Sequence, residues 1–348
     1  MLVENLLKRP RGNMASFHDA KSIVLNYYSE LDSANSLDKL NACFEKYTGT
    51  DYLWRGFHPF GEIKNSKLVV SNFWKPFRCS FKHTQRRLDI FFAGNNSIKE
   101  EEGTWVVSMG HLLSLFDQEW LGIQPNFKLV MLRYCEFNLV RRGKILQTAF
   151  YFDIPHLMAQ AGQNPFGPQT GANLAQLSPR TNCGILVGDT DPKVSDKTLW
   201  LINKMISDLG QWNNKLQLEQ ELALTWKPDM LWWGPHGIGS TFTIERYAKQ
   251  HAGPFRAAFS KRSSTEHIAR LAEGHYGGFF GWPNFKAQHN GGFMGLTESK
   301  KKIEFKVIDI YRRDKNKLAE NWVFIDILSI FYQHGVDILE KMKSIVKE

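Results

Sequence analysis

The sequence predicts two tandem α+β barrels, each a curved antiparallel sheet wrapped around helices into a cone, and three observations carry the prediction. Residues 51–81 align without a gap onto residues 229–259, pairing Trp54 with Trp232, Gly56 with Gly234, His58 with His236 and Gly61 with Gly239. The same stretch sets Pro76-Phe77-Arg78 against Pro254-Phe255-Arg256. Residues 134–162 align in turn onto 307–335, pairing Glu136 with Asp309, Lys144 with Lys317, Asp153 with Asp326 and Gln160 with Gln333. Within each copy helical periodicity comes first and β-rich runs follow, the order of a sheet that folds back over its own helices.

The first copy opens at residues 17–32, where Ile23, Val24, Tyr27, Tyr28 and Leu31 recur at helical spacing, and residues 36–47 continue as a second short helix. The second copy opens alike, with Leu199, Ile202, Met205, Ile206 and Leu209 on one face of residues 197–209, then 219–226 before Pro228. The segments around Trp54 and Trp232 read as a short strand or extended arm. A third helix follows at 66–74 and at 243–251, the latter with Thr243 as its N-cap. Strands are expected at 128–139 and 145–152, and at 303–311 and 318–325. Gly143 and Asn316, which tolerate a positive φ, make a hairpin of each pair. The two alignments run at offsets of 178 and 173 residues, and the difference is assigned to the polar segment 95–103 as a longer hairpin tip. The last apolar run, 326–346, reads as helix. The expected organisation is a tail at 1–15, a first barrel at 16–162, a linker at 163–194 rich in Gly, Pro, Asn and Gln, and a second barrel at 195–348.

Composition narrows the function. Aromatic residues make up 13% of the chain, more than packing alone recruits, and they are the common lining of apolar small-molecule pockets. The net charge of +9 invites a nucleic-acid reading, but the basic runs at 8–11, 300–302 and 312–317 are short and interrupted, and no recognition motif accompanies them. They read as solvated surface. Cys43, Cys79, Cys135 and Cys183 stand far apart, without zinc-finger spacing, which fits a reducing compartment. No apolar region follows the N-terminal charges, and no run reaches the roughly 18 apolar residues that span a bilayer, so a cytoplasmic location is expected. Hydrolase, nucleotide and zinc-protease signatures are missing from the sequence.

One resemblance is specific. His289 through Lys302, then Phe305 to Arg312, Lys317 to Asp326 and Gln333-His334-Gly335 resemble the C-terminal half of a SnoaL-like polyketide cyclase domain. The first copy keeps a worn version in Trp120-Leu121-Gly122, Glu136, Lys144 and Asp153. The resemblance implies a cone of the nuclear transport factor two superfamily, whose cyclase members close polyketide rings by cofactor-free intramolecular aldol condensation with an Asp as acid/base. It also implies a departure. The position of that Asp falls on Val323, and on Phe150 in the first copy, and neither side chain transfers a proton.

Other residues must then carry any chemistry. Asp309 and Glu136 lie inside apolar strands, on the face shared with Val307 and Tyr311, or with Tyr134 and Asn138. An internal face makes Asp309 the acid/base, because a dry pocket raises a carboxyl pKa toward working pH; a solvent face makes it a surface acid. Asp326 and Asp153, at a strand-to-helix junction, either cap the last helix or line a barrel mouth. His236 and His58 either brace a tight turn or reach the pocket as general acids. Trp232, Trp233, His275, Tyr276, Trp282, His289 and Trp322 complete the expected substrate-binding set, with Trp54 as a first-copy equivalent of Trp232. The expected partner is a small enolisable, polyketide-like carbonyl compound, with no metal, cofactor, nucleic acid or membrane, and with self-association left open. The competing reading is a non-catalytic module in which one barrel carries a small ligand and the other serves assembly.

Overall fold

The computed structural model describes residues 17–210 and 216–345, so the tail expected at 1–15 lies outside the described residues. The chain divides into two compact units. The first gathers residues up to Asn164 with Leu177–Asp191 and the stretch from Leu339 onward; the second holds Pro165–Gln176 and Pro192–Ile338.

The first unit begins with α1 (His18–Ser33), which buries Val24, Tyr27, Tyr28 and Leu31 along one face, and α2 (Leu37–Tyr47). Ser36 starts α2 as N-cap, its side chain accepting from the Lys39 N–H. The chain then turns through β1 (Thr48–Gly56) and β2 (Gly61–Lys64) into α3 (Ser66–Val69), a π-helical turn Val70–Trp74 and α4 (Lys75–Ser80). Pro76 explains the widened turn. It has no N–H to give, and the Lys75 N–H before it reaches back five residues to the Val70 carbonyl. The sheet is completed by β3 (Phe81–Gly94), β4 (Thr104–Phe116), β5 (Leu129–Arg141) and β6 (Lys144–Phe152), with α5 (Ile154–Gln160) after it. The strand order is β2-β1-β6-β5-β4-β3, antiparallel except for the β1–β6 pair.

The second unit repeats this order with one additional short strand, Phe259–Ser260, which pairs with the strand Tyr276–His289 off the common path. It holds α6 (Pro192–Gly210), α7 (Leu218–Ala223), β7 (Trp226–Trp233), β8 (Ser240–Phe242), α8 (Ile244–Tyr247), a π-helical turn Ala248–Ala252 and α9 (Gly253–Ala258). After these come β9 (Phe259–Ser260), β10 (His267–Glu273), β11 (Tyr276–His289), β12 (Lys302–Asp314), β13 (Lys317–Ile325) and α10 (Ile327–Gln333). The order β8-β7-β13-β12-β11-β10 is the same, again with one parallel pair, β7–β13. Even the local oddities recur. Asn65 and Thr243 are both N-caps at positive φ, 84° and 70°, and the Gly253 N–H before Pro254 reaches back to the Ala248 carbonyl.

Three expectations need adjustment. In the β12–β13 hairpin the left-handed residue is Lys315, at φ 54°, beside Asn316; in β5–β6 it is Arg142 together with Gly143. The apolar run from Asp326 is two helices, because Gly335 turns left-handed at φ 88° and α11 (Ile338–Ile345) groups mainly with the first unit. The segment expected to be a linker is divided between the units by backbone pairing at sheet edges. Ala172 and Ser240 exchange hydrogen bonds of 2.7 and 2.9 Å, whereas Phe91 on β3 donates to Gly184 at 2.8 Å and accepts from Leu186 at 2.7 Å. Such cover satisfies edge groups that would otherwise template aggregation.

Candidate functional site

The second unit encloses a cavity of about 190 Å³, close to the size that takes one aromatic ring. Its walls come from α6, α7, the α8–α9 arm and the inner face of the sheet, and Trp232, Phe255, Phe279, Phe285 and Phe305 are among the residues that line it.

The repeat explains why a hollow exists here. In the first unit the corresponding space is filled by rings: Trp74 stacks on Phe150 at 5.6 Å, and Phe73 and Phe77 stack on Phe152 at 5.4 and 6.1 Å. At the offsets of the repeat, Trp74 becomes Ala252, Tyr134 becomes Val307, Phe150 becomes Val323 and Phe152 becomes Ile325. All four replacements line the cavity. Strand register supplies a fifth. Leu88 lies opposite Gly110 as His267 lies opposite Gly281, which matches Arg86 with Thr265. Arg86 fills its own cone. Its guanidinium sits 4.0 Å over the Tyr28 ring, 3.6 Å from Glu136 and 3.0 Å from Asp32. Thr265 removes that plug.

Asp309 projects from β12 on the face of Val307 and Tyr311, and all three line the cavity. It is half-buried, a carboxylate in a protein-lined wall that the hollow leaves accessible. Asn321 Nδ2 donates to its Oδ1 at 3.2 Å. Burial pushes the carboxyl up to about 7, against hydrogen bonding from Asn321 and Tyr311, which favours the charged form. Its cross-strand partner is Val323 on β13. Residues opposite each other in an antiparallel pair lie about 5 Å apart and face the same side. The acid therefore stands one strand away from the position where the cyclase resemblance expects it.

Two histidines share the cavity. His251 stacks on Trp232 at 4.1 Å, and burial lowers its pKa to about 3. His267 stacks on Phe279 at 3.9 Å, and its Nδ1 accepts from Arg270 Nη2 at 2.8 Å. Burial first, then Arg270 and Arg262, hold it down at about 2. Both rings are neutral at physiological pH, whereas the Asp309 carboxyl, raised to about 7, titrates near neutrality. Tyr247, also on the wall, keeps its hydroxyl proton because burial raises its pKa.

Of the residues expected from sequence, Asp309 and Trp232 line this cavity and the others sit elsewhere. Asp326 is the N-cap of α10, accepting from the Ser329 N–H at 3.1 Å, and Asp153 caps α5 in the same way. His236 is buried in the turn after β7, and Trp233 and Trp322 point to the opposite side of their strands from the cavity residues Trp232, Asn321 and Val323. His275 is exposed in the β10–β11 turn, next to the buried Tyr276. Trp282 lies beneath the Lys306 ammonium, 4.1 Å from its ring centre, and the buried His289 packs edge-on against His334 at 4.3 Å. In the first unit Glu136 is paired with Arg86, Trp54 is core against Phe73, and the half-buried His58 precedes the cis Pro59. The repeat does not mark His251 and His267, because the first copy has Phe73 and Leu88 at those positions. Helical spacing from Trp232's partner Tyr247 to His251, and strand alternation from His267 to Ala269 and Leu271, are the signals that mark them.

Among the described residues no group of three or more His, Cys, Asp and Glu could hold a metal ion, and no helix is long and apolar enough to cross a membrane. A family model described as SnoaL-like polyketide cyclase matches residues 282–334, covering β11 from Trp282 through α10. No curated protein matches. Solved structures that are similar include AclR from Streptomyces galilaeus, with 17% identity, 40% of this chain and 97% of that one covered, at a TM-score of 0.33. An NTF2-like protein from Burkholderia thailandensis E264 matches with 18% identity over 41% of this chain and 96% of its own, at 0.31. IdmH from Streptomyces antibioticus matches with 15% identity over 40% and 99%, at 0.32. The chain is a tandem pair of α+β units, and residues 282–334 of the second are similar to the SnoaL-like polyketide cyclase family.

Proposed function

We propose that the second cone binds a small enolisable carbonyl compound, a polyketide-like fragment of about one ring, and that Asp309 removes the proton α to its carbonyl without a cofactor. The observation that carries this reading is the position of Asp309, directly across from Val323 on the wall of an apolar cavity. A carboxylate there is desolvated enough to be a useful base near pH 7. The Tyr247 hydroxyl supports the reading as a donor to the developing enolate oxygen. The enolate then either attacks a second carbonyl of the same molecule, closing a ring, or takes the proton back at another carbon. The first cone, whose interior holds rings and the Arg86–Glu136 pair, is read as a non-catalytic assembly partner.

Exchange of α-protons in deuterated buffer, followed by proton NMR on one-ring aryl methyl ketones, tests the assignment. Exchange should rise with pH and level off above about 7, since only the ionised carboxylate accepts a proton. Asp309→Asn should slow it at least about 100-fold while ligand affinity stays within an order of magnitude. Unchanged exchange in that variant rules Asp309 out as the base.

A further inference from the structure

The row of side chains that carries Asp309 across the sheet ends on a polar group of its own. Phe279 on β11 lies opposite Asp309 on β12, and Arg270 on β10 lies opposite Phe279, so the three share one face. His267, also on β10, stacks on Phe279 at 3.9 Å. Its ring therefore joins the cavity wall two strands from the acid, about 10 Å away by strand spacing.

The position of the proton on this imidazole is fixed by its neighbour. Arg270 turns two N–H groups on His267 Nδ1, Nε at 3.1 Å and Nη2 at 2.8 Å, while its Nη1 donates to Asn203 Oδ1 on α6 at 2.8 Å. A guanidinium has no lone pair to offer, so Nδ1 is the acceptor. The ring is also neutral, because burial and then the adjacent guanidinium oppose protonation. Its one proton sits on Nε2. That N–H has no acceptor among the described residues, and it is not one of the unpartnered donors sealed inside the core. The stack holds the plane of the ring and the Asn203–Arg270 tether holds its edge, so the donor is in place before anything binds.

We propose that the ligand of this cavity carries a second carbonyl, about one ring away from the enolisable one, and that His267 selects for it by donating Nε2–H to its oxygen. This rests on the reading of the cavity as a small-molecule site and adds the chemical class of its occupant. A carbonyl completes the donor, whereas an apolar group of the same shape leaves it desolvated and unpaired, the cost that lets a built polar site discriminate. A second carbonyl is also the group that ring closure by an enolate requires, so the same donor favours closure over return of the proton.

Titration calorimetry of the full chain with 1,4-diacetylbenzene and with 4-isopropenylacetophenone, in which one C=O is replaced by C=CH2, tests the proposal. The diketone should bind at least about tenfold more tightly. His267→Phe, which keeps a ring on Phe279, should bring the two affinities within about threefold, and His267→Gln, whose amide supplies an N–H, should restore part of the preference. Nitrogen-15 NMR of the histidine rings in the unaltered chain, with His267→Gln to assign the signal, should show the Nε2–H form without any ligand. Equal affinities in the unaltered protein, a preference that survives His267→Phe, or a proton on Nδ1 overturns the role given to His267 while the small-molecule reading stands. Binding of neither compound, with no α-proton exchange on either, overturns both.

Discussion

At the scale of single residues, the two copies handle the acid at the same strand position in opposite ways. Glu136 shares its cone with a guanidinium, and burial still raises its pKa; Asp309 has a hollow, one amide and a tyrosine hydroxyl. A charge enclosed with a counter-ion is structural, whereas one facing a cavity is available. The Arg86 side chain is only 4% exposed and that of Glu136 2%, so removing one leaves the other uncompensated. Arg86→Thr, which copies the second cone, should destabilise the first by about 3–5 kcal/mol. Chemical denaturation followed by the first unit's tryptophan fluorescence would measure it. A loss below about 1 kcal/mol would mean that the ion pair is not what fills that cone.

At the scale of elements, the cavity depends on the β12–β13 register and on small residues at several positions, Ala252 in the π-helical turn among them. Asp309 and Val323 meet across the sheet, and Ala252 faces them from the arm where Trp74 stands in the first unit. A one-residue slip of β12 would turn the acid away from the hollow. Ala252→Trp should restore the plug. The expected result is loss of more than tenfold in ligand affinity by calorimetry, with a stability change of about 1–3 kcal/mol from overpacking. Undiminished binding would place the ligand outside the hollow.

At the scale of the whole chain, much was legible because a repeat constrains two copies at once. Paired Trp, Gly and Pro positions returned as two sheets of one strand order, and strand alternation put Asp309 beside Val307 and Tyr311. The plug in one cone and the hollow in the other were not legible, because they depend on side-chain volumes summed across helix, arm and four strands. Asp326 was ambiguous for a physical reason. Capping a helix and lining a mouth ask for the same carboxylate at the same junction, and only the Ser329 N–H decides between them. The division of residues 163–194 between the units follows from edge pairing, which leaves no periodic trace in sequence.

The account turns on whether Asp309 is held in a hollow dry enough to keep its proton near neutrality. Carbon-13 NMR of the side-chain carboxyls, titrated in the full chain with Asp309→Asn to assign the signal, measures this directly. The result expected is a midpoint of about 7. A midpoint in the ordinary range, near about 4, would show a solvated carboxylate and contradict the account.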